Sequence, residues 1–265
     1  MINFLNISQH LGFNYNASPL EQFEILVIYP ISLYGLLDIS ITNSVIYMVI
    51  IFTSIFLFHF LGFFNINLVY SNSLSSILEF VYLFILGMVR QQSGIVGQNF
   101  FPFFFFVFWF ILFSNLFGLL PYGFTVTGHI IMTFFLALSF NLSFLIYGLA
   151  KHGLKFFLLF VPKGAPVFLI PLLIVIEVLS YALRTLSLSI RLFANMMAGH
   201  TLMFILSSFI LSFLALGFLG FFPMLLVFLL LFFVFVLEVG IAFLQAYVFV
   251  ILLAIYLKDG ITPVH

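Results

Sequence analysis

Apolar runs long enough to cross a bilayer alternate along this chain with short polar or Gly/Pro-containing breaks. A helix rises 1.5 Å per residue, so about 20 apolar residues cover the hydrocarbon core. A polar arm reaching to about Asp38 precedes a first predicted span over 39–64. The segment 74–89 is shorter, carries Glu79 and stops at Arg90, which predicts a helix lying in the membrane interface. A Phe-rich run over 100–120, closed by Pro121 and Gly123, and another over 129–150 each predict a span. A loop with Lys151, Lys155, Pro162, Lys163, Gly164 and Pro166 then breaks the pattern. Two long runs end the chain, 167–214 and 220–257. Each exceeds the bilayer thickness and must be tilted, bent or broken. The pattern predicts an all-α polytopic membrane protein with about five membrane helices plus one interfacial helix. Residues 1–265 form a single membrane domain: an arm over 1–38, peripheral helices over 39–150, and an antiparallel hairpin over 167–257.

Composition agrees and narrows the function. Of 265 residues 65% are hydrophobic and 5% charged, against roughly 25% charged in soluble domains. Mean hydropathy is +1.38. Such a surface excludes a soluble enzyme, a nucleic-acid binder and a disordered scaffold. Zero Cys excludes disulfides, thiolate metal sites and iron–sulfur clusters, and no cofactor or metal is expected. Phe numbers 43, and its T-rich codons point to an A/T-biased organelle genome. Residues 1–16 carry no Lys or Arg, so no secretory or transit signal is expected there.

The seven basic and seven acidic residues are unevenly placed. With 74–89 not crossing, Arg90, the Lys151/Lys155/Lys163 loop and Lys258 fall on one side, and Glu21, Glu24 and Asp38 on the other. The positive-inside rule makes the basic side the inner one.

The last two runs hold Glu177, Arg184, Arg191, His200 and Glu238 inside apolar sequence, with Asn195 and Gln245 beside them. Ionisable groups in hydrocarbon are costly and point to an ion or proton pathway. Arg184 lies near enough to a segment end either to snorkel or to serve a path; Arg191 is mid-segment. Glu177, Arg184 and Arg191 are spaced by seven and share a stripe, with Asn195 one turn beyond. Glu238 and Gln245 are also seven apart. Setting Gln245 beside Arg191 in an antiparallel hairpin brings Glu238 toward His200. It also leaves Glu177 and Asp259 paired about 21 Å away at the opposite end. Two polar half-paths would then flank a fixed positive charge. A structural hydrogen bond is the other reading of a His200–Glu238 pair. His59, His129 and His152 are lone and suit helix-boundary or packing roles. Asn115 suits a hydrogen bond between helices, and the Phe-rich stretch 100–110 reads as lipid-facing filler.

The run Leu186-Ser-Leu-Ser-Ile-Arg191-Leu-Phe-Ala-Asn195-Met-Met-Ala-Gly199-His200 resembles the signature of subunit a, the proton-channel stator subunit of F-type rotary ATP synthases. Glu238 with Leu244-Gln245-Ala246-Tyr247, and Tyr256-Leu-Lys-Asp259, resemble the family's last helix. Ser18-Pro19-Leu20-Glu21-Gln22-Phe23-Glu24 resembles the N-terminus of mitochondrial members. Lys151-His152-Gly153 and Phe160-Val161-Pro162-Lys163-Gly164-Ala165-Pro166 resemble the loop before the signature helix. The resemblance implies a proton path through two offset half-channels at the rotating c-ring, coupling proton-motive force to ATP synthesis, with no hydrolytic activity in this chain. Arg191 would be the essential ring-facing charge, supported by Asn195 and Gln245. His200 and Glu238 would belong to the outer half-channel, Glu177 and Asp259 to the matrix half-channel, and Arg184 has no fixed family role. Bacterial members commonly carry an acid where His200 stands and a His where Glu238 stands, so this arrangement is the mitochondrial one. The implied partners are c-ring, peripheral-stalk and other membrane subunits, with lipid, cardiolipin included, and no nucleic acid. The implied place is the mitochondrial inner membrane, N-terminus in the intermembrane space and C-terminus in the matrix. A di-haem respiratory subunit would want two facing His pairs, which His10, His59, His129, His152, His200 and His265 do not offer. A purely structural subunit would leave Arg191, His200 and Glu238 without purpose.

Overall fold

The computed structural model describes residues 20–30, 32–33, 37–38, 40–64, 73–120, 123–153, 156 and 167–261. Ser18, Pro19, Pro121, Lys155, Pro162, Lys163, Gly164 and Pro166, singled out above, lie outside them. The arm holds short strands: β1 (Val27–Tyr29) pairs antiparallel with β4 (Ile41–Thr42), and β2 (Ser32–Leu33) with β3 (Leu37–Asp38). Six α-helices follow among the described residues: α1 Asn43–Phe64, α2 Ser73–Gly97, α3 Phe101–Gly118, α4 Ile130–His152, α5 Ile170–Ala215 and α6 Phe221–Ile261. Five helical stretches are long and apolar enough to cross a membrane, α2 and α3 forming one of them. The protein is an all-α polytopic membrane protein.

Two expectations about the first half are corrected. The 74–89 helix does not stop at Arg90 but runs to Gly97, because the Arg90 side chain is exposed and nothing forces an end there. Ile85, Met88, Val89, Ser93 and Gly97 make one buried face, and Gly94 (φ 69°) supplies the bend before α3. The Phe-rich stretch is not lipid-facing filler. Phe101, Phe104, Phe108 and Phe110 are buried, with Val107, Trp109, Ile111 and Leu112. A helix apolar on every side is a central one. Trp109 lies 5.0 Å from Phe58, 5.3 Å from His59 and 5.6 Å from Phe113 between ring centroids, which locks α1 onto α3. Phe103 meets Phe140 and Phe144 edge-on, which locks α4 onto the same helix.

The lone histidines take structural places. His59 donates from Nδ1 to the Ile55 carbonyl (2.8 Å), and His152 from Nε2 to the Ile261 carbonyl (2.8 Å). His129 stands just before α4 and stacks on Phe124, and burial pushes its imidazole below the ordinary histidine range. Asn115 accepts from the Thr127 hydroxyl (3.0 Å), a bond to the turn before α4 rather than to another helix.

At 46 and 41 residues, α5 and α6 are roughly 69 and 62 Å long, about twice the hydrocarbon thickness. They join through a 3-10 turn, Gly217–Gly220. Gly217 takes φ +66°, and a Cβ on Gly220 would collide with the Phe213 carbonyl, so glycine closes the tip at both positions. Contacts at Arg184–Asp259, Asn195–Gln245 and Gly199–Glu238 show the two helices antiparallel. Only the far half of α6 is buried, from Glu238 through Ala242, Phe249 and Leu253 to Ile261.

Where α4 crosses that buried half, Gly148 and Gly260 bring two backbones together. A Cβ on Gly148 would lie 3.2 Å from Gly260 Cα, with the Phe156 ring closer still. Overpacking such a site costs about 1–3 kcal/mol. Gly148→Leu is therefore expected to lower the thermal midpoint of the assembled protein, measured by scanning fluorimetry or loss of assembly on heating. An unchanged midpoint would contradict this packing.

Candidate functional site in the α5–α6 hairpin

Arg191 sits within two residues of the midpoint of α5 and is exposed. Among the described residues it makes no hydrogen bond or ion pair. Ser187, Ile190, Ala194, Ala198 and Leu202 are exposed with it, at offsets of −4, −1, +3, +7 and +11, which is one helix face. Three of these side chains are small, so the guanidinium stands out from a flat apolar surface. An Arg at the centre of the bilayer costs several kcal/mol unless compensated, at least about 2.5–3.5 kcal/mol on insertion scales. This face therefore calls for a covering partner that brings an anion.

Along the seam with α6, at the edge of this face, the hairpin encloses polar groups. The Asn195 amide donates to Gln245 Oε1 (3.3 Å), one turn nearer the tip than the expected Arg191–Gln245 pairing. Gln245 is buried, and its Nε2 has no hydrogen-bond partner among the described residues. Glu238 is 3% exposed, neither carboxylate oxygen has a hydrogen-bond partner among the described residues, and Oε1 lies so close to Gly199 that a Cβ there would collide with it. His200 is the next residue on α5. Its Nε2 is buried with no hydrogen-bond partner among the described residues, and its ring meets Phe23 of the arm edge-on at 6.2 Å between centroids. Glu238 thus packs against Gly199, the residue before His200, and no hydrogen bond joins His200 to Glu238 among the described residues. Buried polar groups are normally bonded, and these atoms have no hydrogen-bond partner among the described residues.

The other end of the hairpin differs from expectation. Asp259 does not pair with Glu177, which is exposed on α5 two turns before the partner Asp259 has. That partner is Arg184, with Nη1 3.6 Å from Asp259 Oδ2 and the guanidinium carbon 5.9 Å from the centre of the Tyr256 ring. Beneath it the Tyr181 hydroxyl donates to Asn141 Oδ1, and the Asn141 amide donates to Thr185 Oγ1. Sequence reasoning missed Asn141, Tyr181, Thr185 and Phe23. The one available signal was Asn141, a lone amide inside the apolar α4; Phe23 carries no chemical mark at all.

The fold and site together define a polytopic membrane protein with ionisable groups built into a long hairpin and one unpaired arginine on its open apolar face. Residues 44–258 match the family model described as ATP synthase A chain. Proteins named ATP synthase subunit a from Acanthamoeba castellanii (47% identical, 94% of this chain, 99% of that one) and Marchantia polymorpha (45%, 92% and 98%) are similar over nearly their whole lengths. The same holds for one from Parvibaculum lavamentivorans (40%, 97% and 98%). The chain belongs to the ATP synthase A chain family, the proton-translocating stator subunit of F-type ATP synthase, and carries no hydrolytic role of its own.

Gly199 is the position where this geometry is most exposed to test. Gly199→Val is expected to displace the Glu238 carboxylate and slow proton flux about tenfold or more, since misplacing a reacting group by 1 Å can cost about 100-fold. Proton uptake in vesicles holding equal amounts of assembled complex measures it, and wild-type flux would contradict the placement.

Proposed function

We propose that this chain carries protons across the mitochondrial inner membrane through two offset half-channels that meet the c-ring at Arg191. One observation carries the reading: a mid-membrane arginine without a partner among the described residues of its own chain stands on an exposed apolar face. Glu238, buried, and His200, with its Nε2 buried, have no hydrogen-bond partner for these groups among the described residues and lie toward the hairpin tip; the acidic Asp259 and Glu177 lie toward the open end. The ring's carboxylate is the anion that face calls for.

The order of events follows from the positions. A proton enters at the tip side through His200 and Glu238, about 13.5 Å along α5 from Arg191, and neutralises a ring carboxylate. The neutral carboxyl can then turn into lipid. After a full turn it meets the other half-channel and releases its proton past Glu177 and Asp259. A guanidinium is a permanent charge, which the ammonium of a desolvated lysine is not. Arg191 attracts each arriving carboxylate as an anion and bars a direct hop between the two paths. Asn195 and Gln245 form a neutral polar wall beside it. A proton falling through the membrane releases about 2.3 kcal/mol per 100 mV, and this separation lets the release drive rotation.

Charge distribution supports the orientation. Exposed Lys151 and Lys258 share one end of the bundle, where His152 holds Ile261, and the last turn of α2 beyond Arg90 rests on Leu257 there. Exposed Glu24 lies at the opposite end, next to Phe23 on His200. Positive-inside makes the lysine end the matrix side and the arm the intermembrane-space side. The arm, the peripheral helices and the hairpin then divide as 1–38, 39–150 and 167–257. The same basic end suits cardiolipin headgroups. The outer faces of α1 and α2 suit the peripheral-stalk and other membrane subunits.

Arg191→Gln in equally assembled complexes is expected to abolish ATP-driven acidification of inner-membrane vesicles. Pumping at near-normal rates would overturn the assignment of Arg191.

A further inference from the structure

Arg184 has no part in the path described above, yet its guanidinium is tied to an acid across the hairpin. It lies on the Arg191 stripe, seven residues or about 10.5 Å closer to the open end. Its guanidinium reaches across the α5–α6 seam to Asp259 (3.6 Å) and lies over the Tyr256 ring (5.9 Å). The helix beneath it is fixed to α4 by the Asn141 bonds to Tyr181 and Thr185. Tyr181 in turn packs 5.9 Å from Tyr256. Two tyrosines, an asparagine and a threonine from three helices therefore hold the arginine and the aspartate at one place.

We propose that Arg184 is a positioning residue of the inner half-channel: its ion pair fixes the Asp259 carboxylate at the α5–α6 seam, where the proton leaves the ring. The inference rests on the assignment of Asp259 to that half-channel. The pair is partly exposed, with side chains 36% and 19% accessible. Such pairs contribute little to stability, so a stability role does not explain an arginine inside an apolar helix. The charge matters because it holds a mobile carboxylate in register with the path. It also places a second fixed cation between Arg191 and the inner surface. A guanidinium does this better than an ammonium by also stacking on Tyr256, but a lysine keeps the charge.

The test is ATP-driven proton pumping in vesicles with equal amounts of assembled complex. Arg184→Gln is expected to slow pumping about three- to tenfold, the size of coupling between contacting groups. Arg184→Lys should stay close to the wild-type rate. In an Asp259→Asn background, Arg184→Gln should add no further loss, because the arginine acts through the aspartate. Should the Gln variant fail to assemble, Arg184→Met keeps the stem packed on Tyr256 and carries the same expectations. Wild-type pumping in Arg184→Gln, a Lys variant as slow as the Gln variant, or losses that simply add would each overturn the inference. Wild-type pumping in Asp259→Asn would instead remove Asp259 from the path, and this inference with it. A slow Asp259→Asn beside a normal Arg184→Gln overturns the role of Arg184 alone.

Discussion

A guanidinium cannot remain in hydrocarbon without an anion or water to meet it, and Arg191 stands at the middle of α5 on an exposed apolar face with no acidic partner among the described residues of its own chain. The surrounding architecture answers that constraint. Ser187, Ala194 and Ala198 clear the surface around it so that another helix can come close. The far half of α6 is buried against α2, α3 and α4, which holds the hairpin rigid behind the exposed face. Glu238 and Gln245 are turned inward, buried between the helices. The family's function and the electrostatics of one residue thus require the same arrangement.

The length of α5 and α6 has the same origin. A helix just long enough to cross would offer a neighbour only a short line of contact, whereas one about twice that length must tilt or bend to stay within the apolar layer. The tip is closed by glycine at Gly217 and Gly220, and no Lys, Arg, Asp or Glu occurs between Arg191 and Glu238. The whole tip can therefore remain in the apolar layer. Phe-rich α3 is the counterweight: its aromatic rings interlock α1 and α4 around it and give the hairpin something stiff to lean on.

Much of this was legible in the sequence, because a charge inside an apolar run is a strong signal. Arg191, Asn195, His200, Glu238 and Gln245 could be picked out, and the hairpin followed from two overlong runs. The axial register could not be read. A spacing of seven fixes which side of a helix a residue occupies, not how far its partner is displaced. From Arg184 to Gly199 on α5 is 15 residues, while from Glu238 to Asp259 on α6 is 21. Crossing helices that touch through side chains of unequal length do not keep a one-to-one register. The expectation is thus close at Glu238, one turn off at Gln245, and at Asp259 gives the wrong partner. The burial of Phe101–Phe110 was invisible for a different reason: a helix apolar on all sides suits lipid and core equally. Phe23 was invisible because only the fold brings the arm to His200.

The absence of cysteine from the chain makes one measurement especially direct. Single cysteines at Ser187, Ala194 and Ala198, and at the buried Leu192 as a control, would each be paired with a cysteine beside the ring's carboxylate in the assembled complex. The account predicts disulfide cross-links to the ring from the three exposed positions and none from Leu192. Cross-linking confined to Leu192, or to none of the three, would show that Arg191 does not face the ring.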